Sequence, residues 1–244
     1  MASQRSRALS GSTIIVTGAA GSLGSALSVR AVSAGMNTVM LDCDRKNLES
    51  AYDLIVEQGL PEPILYPLDL AGAGPEHYEE MMTAIATEFG GLDALVHCAA
   101  RFEGLTPLEQ VSPAEWLIQM QVNLNAAWLL SAQALPLLRE SGSGNLFFML
   151  EDMARVEGAY WGAYGVAKHA LRAMVSQFAE ETRSTGLQVL GINPGPMRSP
   201  LRSRAYHSEN PAMQPGPEAA AERIMQLLSR DREPNGPFVD LMGD

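Results

Sequence analysis

Between Thr13 and Gly24 a short apolar run, a glycine turn and an apolar-periodic segment follow one another, and this stretch restricts the fold more than any other. Ile14, Ile15, Val16 and Thr17 read as a buried strand, and Leu23, Leu27, Ala31 and Ala34 recur at helical spacing. Gly18, Gly21 and Gly24 lie in the turn and at the start of the helix. Strand, tight turn and helix N-terminus together form a site for a pyrophosphate. The helix start offers unpaired backbone N–H groups and the positive end of the dipole, and glycine lets the backbone come close to a ligand. An ordinary strand–helix turn can share the glycine spacing, so the weight rests on the flanking periodicities.

The remainder of the chain alternates in the same way. Thr38–Asp42 reads as a second buried strand, and Asp42 stands 18 residues beyond Gly24. An acid in that place accepts hydrogen bonds from the adenosine ribose hydroxyls and repels a 2′-phosphate, so Asp42 favours NAD over NADP. NADP stays open because Arg45 follows, and Asp42 or Asp44 could instead cap the next helix, expected over residues 45–58. Ile64–Pro67 reads as a third strand, after which Asp69 suits a turn. Residues 75–89 form a helix whose Met81, Met82, Ile85 and Phe89 fill the core. The fourth strand starts near Asp93, and His97, with no clustered ligand nearby, reads as structural.

One long helical pattern runs from Pro113 to Arg139, with Ser112 as its cap and Pro136 expected to kink or end it. Asn123 lies inside that pattern and needs a partner if buried. Asn145–Leu150 is the fifth strand, and beyond it Tyr164 and Lys168 stand four residues apart on one helix face. A phenol with a pKa near 10 is a poor acid–base group at neutral pH, and a neighbouring ammonium lowers that value. Strands near Leu187–Ile192 and Phe238–Leu241 and a helix over 218–229 complete the pattern.

This order of motifs resembles the short-chain dehydrogenase/reductase family over nearly the whole chain. Thr17-Gly18, followed by Gly21-Ser22-Leu23-Gly24, is similar to the family's Thr-Gly-x-x-x-Gly-x-Gly fingerprint, with Ser22 at the middle glycine. The resemblance implies a doubly wound Rossmann fold, a seven-stranded parallel sheet in the order 3-2-1-4-5-6-7 with helices on both faces. It also implies cofactor contacts from Gly18, Ala20, Gly21, Ser22, Leu23 and Gly24, and adenine contacts from Asp69 and Leu70. Ala99 and Ala100 belong to a turn where the family carries Asn-Asn-Ala-Gly and this chain has His97-Cys98-Ala99-Ala100. Pro194, Gly195, Met197 and Ser199 would close over the nicotinamide. Tyr164 would be the acid–base group, Lys168 would lower its pKa and hold the nicotinamide ribose, and Asn123 would complete a water relay. Trp161-Gly-Ala-Tyr164 and Met120-Gln-Val-Asn123 look like the bacterial YciK-type oxidoreductases of this family. The substrate implied is a small carbonyl or alcohol, and the assembly a homodimer or homotetramer through the helices around Asn123 and after Tyr164.

The family also places a serine or threonine about 13 residues before the tyrosine, and here that position is Glu151. No Ser or Thr occurs between Gly144 and Lys168. An ionised Glu151 accepts hydrogen bonds and cannot donate; a protonated Glu151 or Asp152 could still donate; a carboxylate could also select a cationic substrate. All three stay open, as does an impaired protein that binds a nucleotide or a protein partner.

Composition bounds what else the chain can be. With 17 basic against 28 acidic residues the formal charge is −11, which disfavours nucleic acid. No apolar stretch has the length of a membrane span, and the polar start Met1–Ser12 lacks a signal core, so a cytoplasmic location is expected. Cys43 and Cys98 read as reduced core residues, and no metal site is expected. We expect one domain over 1–244, with an N-terminal extension over 1–11 and a substrate lid near 200–217 whose Arg198, Arg202 and Arg204 read as a solvated face.

Overall fold

The computed structural model describes residues 8–231 and 234–242; residues 1–7 of the expected extension lie outside the described residues. Alternation along each strand builds two cores, one on each face of a single sheet. In β1 (Thr13–Thr17), Ile14 and Val16 face one core and Ile15 the other. The remaining strands are β2 (Asn37–Asp42), β3 (Ile64–Pro67), β4 (Ala94–His97), β5 (Asn145–Met149), β6 (Gln188–Asn193) and β7 (Phe238–Asp240). They pair in parallel in the order β3-β2-β1-β4-β5-β6-β7.

Parallel pairing requires crossovers, which the helices supply. Helices α1 (Ser22–Ser33) and α2 (Arg45–Glu57) cover the first face, and α3 (Pro75–Phe89) the second. Next come α4 (Pro113–Met120), α5 (Ala126–Glu140), the short α6 (Met153–Val156) and α7 (Gly162–Glu181). Finally α8 (Pro200–Ala205) and α9 (Glu218–Leu228) precede β7, with α9 packed on α1. Strand order reverses between β1 and β4, so the crevice beyond the carboxyl ends of those strands is where a ligand binds in such sheets.

Four expectations need correction. The pattern over 113–139 is not one α-helix: a π-helical turn, Gln121–Asn125, separates α4 from α5. Its cause is Asn123, whose Nδ2 donates to the Gln119 carbonyl at 2.9 Å. Pro136 lies inside α5, which runs on to Glu140 with Ala134 and Leu138 fully buried. Residues 200–217 hold α8 and a 3₁₀ turn at Pro211–Met213, tied by a two-point ion pair between Arg202 and Glu209 with both N···O distances 2.8 Å. Arg204, although exposed, donates to the Phe102 carbonyl, so of the three lid arginines only Arg198 is exposed without holding the lid. Cys43 is exposed because β2 ends one residue earlier; both cysteines are free thiols.

Candidate active site

The glycine turn is held tight by backbone packing. Gly18 has φ +66°, and a Cβ there would stand 2.6 Å from the Ala99 nitrogen. A Cβ on Gly24 would stand 2.1 Å from the Gly18 carbonyl oxygen. Gly21 N-caps α1 with no side-chain bond, and the first i→i−4 bond of the helix runs from Ser25 N to Gly21 O. The amides of Ser22, Leu23 and Gly24 therefore precede the first i→i−4 bond and point out of the helix start, as anion recognition requires. Ser22 is the first residue of α1, directly after the Gly21 cap.

Asp42 closes the turn from the side. Its Oδ2 accepts from Ala20 N and its Oδ1 from Asp44 N, both at 3.0 Å. The cap of α2 is Asp44, which accepts from Asn47 N. Asp42 is thus freed from capping and fastened beside the glycine turn, each oxygen keeping a lone pair for a ribose hydroxyl. Asp69 is exposed and makes a turn, accepting from Ala71 N at 2.9 Å, while Leu70 is buried behind it. Ala99 lies against the turn through its amide, which donates to Thr17 Oγ1, and Ala100 is exposed beside it.

Helix α7 carries Tyr164 and Lys168 on one face, both buried, at 1% and 3% exposure. The phenol does not stand alone: its O–H donates to Glu151 Oε1 at 2.7 Å. Glu151, 13 residues before Tyr164, where the resemblance implies a serine, thus accepts a hydrogen bond from the phenol. Burial first, then the Glu151 charge and then its hydrogen bond hold the phenol well above its ordinary value of 10.0. A phenol lowered by Lys168 is thus not what the fold produces. The Lys168 ammonium donates to the Met149 carbonyl at 2.7 Å and lies 5.4 Å from the tyrosine ring centroid. Burial lowers the Lys168 pKa, against the opposing pull of Glu151.

Asn123 is buried, and its amide is fully engaged as a clamp. Oδ1 accepts from Arg101 N at 3.0 Å, and Nδ2 donates to the Arg101 and Gln119 carbonyls. It fixes the loop after β4 and the π-helical turn between α4 and α5. His97 is structural: Nε2 lies 2.9 Å from Ser131 Oγ and the ring stacks on Phe148 at 4.8 Å. Burial, and secondarily the Lys168 charge, push its pKa down to about 3. The unfolded chain binds this proton near pH 6.5 and the native state does not, so stability is complete above pH 6.5 and declines on acidification. The expected slope from this residue approaches about 1.4 kcal/mol per pH unit. Urea midpoints at pH 7.5 and 5 should fall less for His97→Asn than for the wild type; equal falls would remove His97 as the cause.

The segment after β6 completes the site. Gly195 has φ +78°, its amide donates to Asn193 Oδ1, and Pro194 stands beside it, partly buried. Met197 packs on the first core, and Ser199 caps α8, accepting from Arg202 N. Arg198, Ser199 and Ser203 face Ala20, Gly21 and Ser22 across a groove of about 870 Å³, so the exposed Arg198 guanidinium stands on the same groove as the start of α1. Two further groups had no signal in the sequence. Phe102 and Trp161 cover Tyr164, with ring centroids at 5.1 and 6.0 Å, and Ala205 and Tyr206 of the lid region join them. Among the described residues no group of three or more His, Cys, Asp or Glu could hold a metal ion, and no helix is long and apolar enough to cross a membrane.

Comparison with known proteins places this geometry among relatives. The profile of the short chain dehydrogenase family matches residues 12–210. The Escherichia coli (strain K12) oxidoreductase YciK is 30% identical over 218 residues, 89% of this chain and 86% of YciK. A solved short chain dehydrogenase from Pseudomonas syringae is similar with a TM-score of 0.89 at 33% identity, covering 98% of this chain and 97% of that one. Another, from Shigella flexneri 2a str. 301 and complexed with NADP, has a TM-score of 0.89 at 27% identity, covering 97% and 98%.

Proposed function

This chain belongs to the short chain dehydrogenase family, and from that premise we propose that it interconverts a carbonyl and an alcohol with a nicotinamide dinucleotide. The observation that carries the proposal is the buried Tyr164–Lys168 pair on α7 with the phenol bonded to Glu151. The glycine turn, the start of α1 and Asp42 would hold the dinucleotide, which when bound supplies or accepts a hydride. Tyr164 exchanges the proton of the reacting oxygen. Lys168 supplies the fixed positive charge behind it, and Asn123 positions the wall after β4. Glu151, in the place of the family's hydroxyl, receives the phenol proton bond at rest.

Asp42 supports NAD as the preferred cofactor. Its carboxylate, with Asp69 near Cys43, makes the ribose corner acidic; both charges raise the Cys43 pKa, after burial as the larger cause. The NADP bound by the Shigella flexneri neighbour keeps the other cofactor in view, and Arg45 on the solvent side would serve a 2′-phosphate. Asp42→Ala should cost NADH affinity and favour NADPH, shifting the ratio of dissociation constants by at least about tenfold, or ~1.4 kcal/mol. An unchanged ratio would take the ribose role away from Asp42.

The chain is proposed to act in the cytoplasm as a homodimer or homotetramer. Leu117, Trp128 and Val166, exposed at 68%, 52% and 43% on α4, α5 and α7, supply the apolar face for that assembly. A second reading, a catalytically silent dinucleotide-binding or protein-binding protein, draws on the acceptor at position 151 and on the cover over Tyr164. Turnover that depends on Tyr164 decides between the two.

A further inference from the structure

Position 151 offers an acceptor where reduction of a carbonyl needs a donor, and the one O–H of Tyr164 is committed to it at 2.7 Å. A neutral ketone entering such a site finds the phenol proton turned away and a carboxylate facing its developing negative charge. The other acids around the mouth are answered by cations. Asp152 pairs with Arg155 at 3.7 Å, Glu209 with Arg202, and Glu103 and Glu115 with Arg101. Among the described residues no cation lies within ion-pair distance of Glu151, although Lys168 and Arg155 feel its charge from farther off, and no hydrogen bond reaches its Oε2. The cover over the phenol is aromatic, and one of its rings already carries cations: Arg202 and Arg155 stand 4.6 and 5.6 Å from the Tyr206 centroid.

We infer that the substrate is a cationic amino ketone or amino alcohol, with a protonated amine on the carbon next to the reacting one, and that Glu151 is the residue that selects it. The inference rests on the hydride-transfer reading above. An ammonium that pairs with Glu151 displaces the phenol from the carboxylate and frees the Tyr164 O–H for the substrate oxygen. The same ammonium, held beside that oxygen, donates to it as charge develops and replaces the donor that a serine would supply. In reduction a hydride passes from the dinucleotide to the carbonyl carbon, forming C–H, while the C=O π pair moves onto oxygen. That oxygen takes the Tyr164 proton, the dinucleotide is oxidised and the ketone reduced, and the phenolate regains a proton from water. Glu151 changes neither bonds nor charge; it is a specificity residue that the amine must satisfy before the acid is available.

The test compares kcat/KM at pH 6 for protonated 1-aminopropan-2-one, 1-hydroxypropan-2-one and butan-2-one, with saturating reduced cofactor. The wild type, Glu151→Gln and Glu151→Ser are assayed, each first titrated with NADH and NADPH. The wild type should favour the amino ketone by about 10²-fold, the scale of one oxyanion donor. Both variants should lose that preference, and Glu151→Ser should gain on the neutral ketones. Equal rates on charged and neutral ketones, a preference that survives in both variants, or no turnover of the amino ketone by a cofactor-bound wild type would overturn the inference and leave the dinucleotide site standing. Failure of the wild type to bind either cofactor would overturn the hydride-transfer reading as well.

Discussion

Tyr164→Phe is expected to lower kcat by about 10²–10⁴-fold, the usual worth of a positioned acid–base group, while dinucleotide affinity stays nearly unchanged. The ring would remain between Phe102 and Trp161, whose packing does not involve the hydroxyl. What disappears is the proton on the reacting oxygen and the bond to Glu151 Oε1. Glu151 is half-buried, so water can take up the vacated acceptor and the fold should tolerate the change. Steady-state turnover and a cofactor titration on the same preparation separate the two effects. Activity at the wild-type level would exclude Tyr164 as the acid. Loss of cofactor binding together with activity would mean that the phenol shapes the site rather than serving its chemistry.

Gly24→Ala should be the most damaging single methyl in the chain. Its Cβ would stand 2.1 Å from the Gly18 carbonyl oxygen, 2.7 Å from the carbonyl carbon and 2.9 Å from the Ala19 Cα, all backbone atoms that no rotamer change can move. The start of α1 must shift away from the end of β1, taking the three outward amides with it. Stability should drop by about 1–3 kcal/mol, and saturable dinucleotide binding should be lost over the range that saturates the wild type. Gly59→Ala is the control. Gly59, unlike Gly24, has a left-handed φ, +71°, and a Cβ there meets nothing within 4 Å. It should cost about 1–2 kcal/mol, the strain of an L-residue in a left-handed conformation, and leave cofactor binding alone. Urea denaturation and titration of both variants check the contrast; loss of dinucleotide binding in both, or in neither, would mean that the contact with Gly18 does not govern the turn.

What the chain declares locally, it declares well. Short β-branched apolar runs such as Ile14-Ile15-Val16, ended by glycine turns, are enough to mark the strands. The fourfold spacing of Tyr164 and Lys168 puts them on one face whatever surrounds them. His97 could be read as structural because no ligand accompanies it. What escaped the reading depends on partners far apart in the chain. Phe102 and Ala205 meet over Tyr164 through the packing of a loop and a lid helix, and nothing in either segment's periodicity announces it. The polarity of the Tyr164–Glu151 bond follows from the depth at which β5 and α7 place the two groups. The sequence counts the 13 residues between them but not the direction of the proton. Lys168 was expected to act on the phenol because the two are neighbours on the helix; the carbonyl of Met149 draws its ammonium elsewhere. The π-turn arises because Asn123 has the Arg101 loop to hold, a contact 22 residues distant.

The measurement that bears most directly on the hydride-transfer site is a titration of tryptophan fluorescence with NADH, repeated with NADPH. Trp161 lies 6.0 Å from Tyr164 between ring centroids, so a reduced nicotinamide bound for reaction would lie close to it. Saturable quenching of the protein emission with sensitised nicotinamide emission, tighter for NADH than for NADPH, is the result expected. No saturable transfer with either dinucleotide would contradict the site as a place where hydride is exchanged.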